Sequence, residues 1–284
     1  MKPERRLVDL RAALKRRSLT GLLVPRADEH LNEYIPASAD RLRWLTGFTG
    51  SAGLAIVLAE RAAMFTDGRY QLQVRAEVDA ARFEIRHAIE EPAEAWLAEA
   101  LRPGDRLGFD PWLHAEEGVA KLRRAVEGAG AALVPVEPNP VDEVWTDRPA
   151  PPASQVAPHP AVFSGEESSA KRARIAEAVA KAGASAAVLT APESIAWLLN
   201  IRGDDLPYNP VAHACAILRR DGQVSLFLDP ARIDPATRAH LGNGVAIEPR
   251  AALAPALDRL GAAHEVVLVD PRTAPVWFAD RLRS

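Results

Sequence analysis

Ala52-Gly-Leu-Ala-Ile-Val-Leu-Ala-Glu-Arg-Ala-Ala-Met-Phe65 decides the fold class. Two apolar runs, Ala52 to Leu58 and Ala62 to Phe65, are separated by Ala59-Glu60-Arg61, which reads as a hairpin, and Asp67-Gly68 ends its second strand. Upstream, Leu7, Leu10 and Leu14 recur at helical spacing within Glu4 to Arg17, Gly21 to Val24 reads as a short buried strand, and Pro25 to Asp40 reads as a polar loop. Downstream the pattern alternates: a helix over Tyr70 to Val78, a strand over Phe83 to His87, a helix over Pro92 to Leu101, and a strand over Arg106 to Phe109. A helix over Glu116 to Glu127 and a strand over Leu133 to Val136 follow. A hairpin followed by alternating helices and strands predicts an α/β domain with a mixed sheet.

The same order returns in the second half. A helix over Ser168 to Ala182, with a serine cap, precedes a strand over Ala186 to Thr190 and a helix over Pro192 to Leu199. Strands over Ala214 to Leu218 and Val224 to Leu228 flank Asp221-Gly222, a hairpin signal. Helices over Pro235 to His240 and Ala252 to Leu260, strands over Val245 to Ile247 and Glu265 to Val269, and a final helix over Pro275 to Ser284 complete it. Each half carries Trp-Leu followed by a glycine at equal distance, Trp44 to Gly50 and Trp197 to Gly203, which suggests a tandem duplication. Between the halves, Glu137 to Pro160 is crowded with prolines and reads as an extended, semi-rigid linker. The domains are placed at 1–150 and 161–284, the second reading as cut short.

Length and composition agree with two soluble domains. The 284 residues exceed one ordinary domain, and 48% hydrophobic with 26% charged residues excludes a mostly disordered chain. A net charge of -3 supplies no field for nucleic acid or an anionic membrane, so neither is an expected partner. The lone Cys215 excludes an internal disulfide and reads as a small core residue. The charged start, Met1-Lys2-Pro3-Glu4, is unlike a signal peptide, and no apolar window is long enough to span a membrane, so a cytoplasmic protein is expected.

No catalytic constellation is visible. Gly47, Gly50 and Gly53 lie before a strand, whereas phosphate-cradling loops end in Gly-Lys-Ser/Thr or open a helix, so a nucleotide-dependent enzyme has little support. Arg69 offers a planar donor fork to a carboxylate or peptide carbonyl; the plainer reading is a solvated side chain beside an Asp67 that caps the next helix. Asp204 and Asp205 read as a solvated loop, and the histidines are scattered singly, without ligand spacing.

Three stretches resemble the first domain of the long, three-domain Xaa-Pro aminopeptidases: Asp28-Glu-His-Leu-Asn-Glu-Tyr-Ile-Pro36, Arg41 to Gly53, and Phe65-Thr-Asp-Gly-Arg-Tyr70. Asn139-Pro-Val-Asp-Glu-Val-Trp-Thr-Asp-Arg-Pro149 looks like that family's interdomain linker. Glu193-Ser-Ile-Ala-Trp-Leu-Leu-Asn-Ile-Arg-Gly-Asp-Asp-Leu-Pro-Tyr-Asn-Pro-Val211 is similar to the central motif of its second domain. The resemblance implies two tandem creatinase/prolidase N-terminal-type domains; prolidase and creatinase have one.

It further implies an enzyme that removes the residue preceding proline from peptides and works as a homodimer. Its chemistry resides in a third, pita-bread domain, where aspartates, a histidine and glutamates hold two Mn2+ ions. That domain is absent from these residues, so the chain alone is expected to bind no catalytic metal and to be inactive, its domains shaping substrate access and subunit arrangement. The alternative is a stand-alone module of the same fold that binds peptides or a protein partner. The resemblance implies that Arg69 lies near the mouth of the catalytic cavity and contacts substrate. Asp67 and Gly68 hold the turn; Gly47, Gly50, Gly53, Trp197, Arg202, Gly203 and Asn209 take structural roles in the motifs.

Overall fold

The computed structural model describes residues 3–284, with side chains from Arg5 onward; Met1 and Lys2 of the charged start lie outside the described residues. The chain divides into two compact units, Met1–Pro151 and Pro152–Ser284.

The first unit runs α1 (Pro3–Arg16), β1 (Gly21–Pro25), α2 (Arg41–Thr46), β2 (Leu54–Leu58), β3 (Ala62–Thr66), α3 (Gln71–Glu77), β4 (Glu84–His87), α4 (Ala93–Ala100), β5 (Arg106–Phe109), α5 (Glu116–Gly128), β6 (Ala132–Pro135) and α6 (Pro140–Val144). Its sheet has the order β4-β3-β2-β1-β5-β6. Strand β2 is antiparallel to β1 and β3, whereas β4, β5 and β6 each pair in parallel, so the sheet is mixed. Leu7, Leu10 and Leu14 of α1 are buried with Leu22 and Val24 of β1 and Val57 of β2, as the helical spacing of the leucines requires.

The second unit runs β7 (Ala157–Pro158), α7 (Ala161–Ser164), α8 (Ser168–Lys181), β8 (Ala186–Leu189), α9 (Pro192–Leu199), β9 (Ile201–Arg202), β10 (Cys215–Arg219), β11 (Val224–Phe227), α10 (Pro235–Leu241), β12 (Val245–Glu248), α11 (Leu253–Ala262), β13 (Val267–Leu268) and α12 (Val276–Arg283). Its main sheet is β12-β11-β10-β8-β13, with β10 antiparallel to both neighbours and the outer pairs parallel. Strand for strand this is the order and sense of β4-β3-β2-β1-β5. The repetition extends to the helix ends: α2 closes at Gly47 (φ 86°) and α9 at Asn200 (φ 51°), both left-handed, three residues after Trp44 and Trp197. Cys215 is fully buried on β10.

Two local expectations are corrected, and one helix had no expectation. The reading of Glu137 to Pro160 as uniformly extended fails at α6, where Pro140 sits at the first turn and the Asn139 side chain accepts a hydrogen bond from the Val141 amide. Val141 and Trp145 are buried in the first core, Trp145 stacks on Trp44 at 5.6 Å, and Arg41 forks onto Asp142 at 2.7 and 2.9 Å, so this segment is part of the first unit. Ser168 is not a cap: Glu167 occupies the cap position without a side-chain bond, and Ser168 is already helical. Residues Arg41 to Thr46 form a helix whose six residues are too few to show a period.

Candidate functional site

Arg69 sits on a single 3-10 turn, Gly68–Tyr70, between β3 and α3. Extended backbone at Asp67 lets its Oδ1 accept the Arg69 amide at 3.0 Å, which closes the turn. The Arg69 side chain returns to the same carboxylate, Nε to Oδ1 at 3.0 Å and Nη2 to Oδ2 at 2.8 Å, and its guanidinium lies 5.2 Å from the Tyr70 ring. The Arg69 hydrogen bonds hold the Asp67 carboxyl below the usual aspartate range. The side chain of Arg69 remains 60% exposed, and Nη1 takes no part in these bonds. The result is a charged donor held in a defined orientation at the surface, the geometry that recognises a carboxylate or carbonyl.

The glycine loop packs against this turn. Tyr70 meets Phe48 edge-on at 5.7 Å, and its hydroxyl lies 2.8 Å from Ser51 Oγ. A Cβ on Gly50 would stand 2.3 Å from the Phe48 ring and 2.9 Å from Tyr70, so only glycine fits there. A Cβ on Gly53 would stand 2.6 Å from Met64. Gly50, Gly53, Asp67, Gly68 and Arg69 therefore lie together at one end of the first sheet, whereas Gly47, closing α2, faces the Glu77 carbonyl.

Trp197, Arg202, Gly203 and Asn209 belong to the second unit. Trp197 is 43% exposed, with Lys171 Nζ 4.8 Å and Arg174 5.5 Å from its ring. Lys171 is buried, and its ammonium donates to Asn200 Oδ1 at 2.7 Å and to the Trp197 carbonyl at 3.1 Å, a cation on the C-terminal carbonyls of α9. Arg202 Nη1 donates to the Ile201 carbonyl at 2.8 Å and the Ala196 carbonyl at 3.3 Å. A Cβ on Gly203 would stand 2.7 Å from that of Ala212. Asn209 holds the far bend, its amide donating to the Leu206 carbonyl at 3.3 Å.

The expectation of a solvated Asp204-Asp205 loop is overturned for Asp205, whose side chain is fully buried. It accepts from the Ser154 amide at 3.0 Å, Ser154 Oγ at 2.7 Å and the His213 amide at 2.6 Å, and it pairs with Arg232. Arg232 in turn donates Nε to the Ser154 carbonyl at 2.7 Å. Neither Lys171 nor the Asp205–Arg232 pair was visible in sequence, because each joins residues distant along the chain. The Asp204-Asp205 dipeptide gave no sign of which carboxylate turns inward.

Among the described residues, no group of three or more His, Cys, Asp or Glu side chains is placed to hold a metal ion, and no helix is long and apolar enough to cross a membrane. The donor set of a dinuclear metal centre is not among them, and no metal-dependent step is assigned to these side chains.

Comparison with known proteins agrees with the fold. Residues 6–144 and 147–284 each match the creatinase/prolidase N-terminal domain. Aminopeptidase P2 of Arabidopsis thaliana is 34% identical over 92% of this chain, and a probable Xaa-Pro aminopeptidase P of Aspergillus fumigatus is 37% identical over 86%. The chain spans 38% of the length of each. The crystal structure of X-prolyl aminopeptidase from Caenorhabditis elegans, described as a cytosolic enzyme with a di-nuclear active site, superposes with a TM-score of 0.90 at 29% identity. It covers 96% of this chain and 48% of its own. With both halves matched, the chain belongs to the creatinase/prolidase N-terminal domain family and carries two such domains in tandem.

Proposed function

We propose that these two domains are the non-catalytic N-terminal part of a cytosolic, manganese-dependent Xaa-Pro aminopeptidase, and that they shape access of proline-containing peptides to metal ions held by a further domain. The observation that carries the reading is the collinear match across both domains to relatives of that name, joined to a TM-score of 0.90 with the N-terminal part of an enzyme described as di-nuclear. Within it, Arg69 contacts the substrate through its outward guanidinium edge while Asp67 fixes the orientation of the fork.

The test is hydrolysis of an Xaa-Pro peptide by the full-length enzyme carrying this chain, with and without Arg69→Ala. The expected result is manganese-dependent cleavage before proline, with kcat/KM lowered on the order of tenfold or more by the loss of a charge-assisted contact, at unchanged thermal stability. Unaltered kinetics refute the role of Arg69; no proline-directed cleavage by the full-length protein refutes the whole reading.

A further inference from the structure

The first unit holds a concave feature away from the Arg69 turn, at the end of its sheet where β1 and β5 begin. A cleft of about 590 Å³ opens between the second half of α1, the Ala59 turn that joins β2 to β3, and the approach to β5. That volume lies within the range of small-molecule sites, roughly 300–1,000 Å³. Ala12, Leu14, Leu19 and Ala59 give it an apolar lining, and Arg11, Lys15 and Arg106 line it with charge.

The charge is unbalanced. No acidic residue lines the cleft, and none of the three cations takes part in an ion pair among the described residues. Neighbouring cations are paired: Arg5 of the same helix with Asp9, and Arg16 at its end and Arg17 just beyond it with Glu143. Acids do occur nearby, since Glu60 and Asp105 line the adjoining cleft, but there they accompany Arg61 and Arg102.

Backbone carbonyls hold both guanidinium stems in place. Arg11 Nε donates to the Leu58 carbonyl at 2.9 Å, and Arg106 Nε donates to the Ser18 carbonyl at 3.2 Å. In each case the bond uses the inner nitrogen, and no bond engages the terminal pair. Burial without a counter-ion lowers the pKa of Arg11, so a carboxylate arriving here meets a guanidinium already short of solvent. Three positive groups around an apolar lining, with no carboxylate partner among the described residues, are complementary to a molecule with one anionic head and a hydrocarbon body.

We propose that this cleft binds a single-chain aliphatic anion from solution, its head held by Arg11, Lys15 and Arg106 and its chain lying along Ala12, Leu14, Leu19 and Ala59. The inference is independent of the peptidase reading. It requires neither a metal nor the Arg69 turn.

Titration calorimetry of the 284-residue chain with decanoate, decyl phosphate and decanol tests it. Decanoate or decyl phosphate should bind at least tenfold more tightly than decanol, which has the chain without the charge. The double variant Lys15→Glu/Arg106→Glu, whose two sites are exposed, should weaken anion binding at least tenfold while keeping the wild-type circular dichroism and Tm. Equal affinity for decanol, undiminished binding by the double variant, or no anion binding up to millimolar concentration each overturns the proposal. Co-sedimentation with phosphatidylglycerol vesicles, abolished by the double variant, would reassign the cleft to a lipid headgroup and overturn it as well.

Discussion

Asp28 and His114 titrate in opposite senses within the first unit, and replacing one should expose the other. Asp28 is fully buried in the loop after β1, where Oδ1 accepts the His30 and Asn32 amides at 3.0 and 3.1 Å. Burial, helped by the neighbouring Glu29 charge and only partly offset by hydrogen bonds, pushes its carboxyl from 3.8 up to about 7. His114, buried beside Phe109 with no partner for Nε2, is pushed by burial from 6.5 down to about 4.

Between pH 4 and 7 the folded state holds the Asp28 proton more tightly than the unfolded chain, so Asp28 adds stability as pH falls through that window. Between pH 6.5 and 4 the unfolded chain takes up the His114 proton first, so His114 removes stability as pH falls. At about 1.4 kcal/mol per unit the two contributions are on the order of 4 and 3 kcal/mol and nearly cancel. The wild type should therefore show a shallow profile between pH 4.5 and 7.5. Asp28→Asn, which keeps an acceptor oxygen for the two amides, should lose roughly 3 kcal/mol as pH falls across the window, whereas His114→Gln should gain stability. Urea unfolding followed by tryptophan fluorescence reads this, because Trp44, Trp96, Trp112 and Trp145 all lie in the first unit. An Asp28→Asn profile that superimposes on the wild type would refute the assignment of the proton to Asp28.

Two other substitutions probe the packing. Asp205→Ala leaves Arg232 buried without its carboxylate and should cost about 3–5 kcal/mol in chemical denaturation of the second unit. Although burial raises the Asp205 carboxyl, hydrogen bonds from Ser154 and His213 and the Arg232 charge hold it below its ordinary value. Its contribution is thus complete above the unfolded aspartate pKa and is lost as pH falls through the lower folded one; a cost independent of pH down to acid unfolding would contradict this. Trp145→Ala removes a buried ring stacked on Trp44 and should destabilise the first unit by about 3–5 kcal/mol, measured by urea midpoint at constant slope. A change under about 1 kcal/mol would detach residues 139–148 from the first core.

The elements legible in the sequence were those whose signal is local. The leucines of α1 mark a face by their spacing, and Asp221-Gly222 marks a hairpin that joins β10 to β11 with Gly222 at φ 84°. Asn139-Pro140 also carried a local signal, a cap followed by proline at the first turn and two acids. It was outweighed by the density of prolines around it, which describes composition and not register. The candidate site was legible as motifs but not as geometry. Nothing in Phe65 to Tyr70 says that Tyr70 closes against Phe48, nor does the pairing of Lys171 with Asn200 follow from either neighbourhood. Such contacts depend on where the sheet brings distant loops together.

The repetition of the fold supplies an internal control for Arg69. Asp229 follows β11 as Asp67 follows β3, and each aspartate accepts the amide two residues on at 3.0 Å, Ala231 in one copy and Arg69 in the other. A 3-10 turn follows in both, Gly68–Tyr70 and Pro230–Arg232. The carboxylate is thus a requirement of the turn, whereas the position of Arg69 is filled by alanine in the second copy without loss of the turn. Arg69→Ala should accordingly leave the first unit folded, and Asp67→Ala should cost it the cap, typically about 1 kcal/mol. If Arg69→Ala lowers Tm as much as Asp67→Ala does, the arginine belongs to the turn and the argument for its contact with substrate fails. If Tm holds and kcat/KM falls, the guanidinium acts on something outside the turn that carries it.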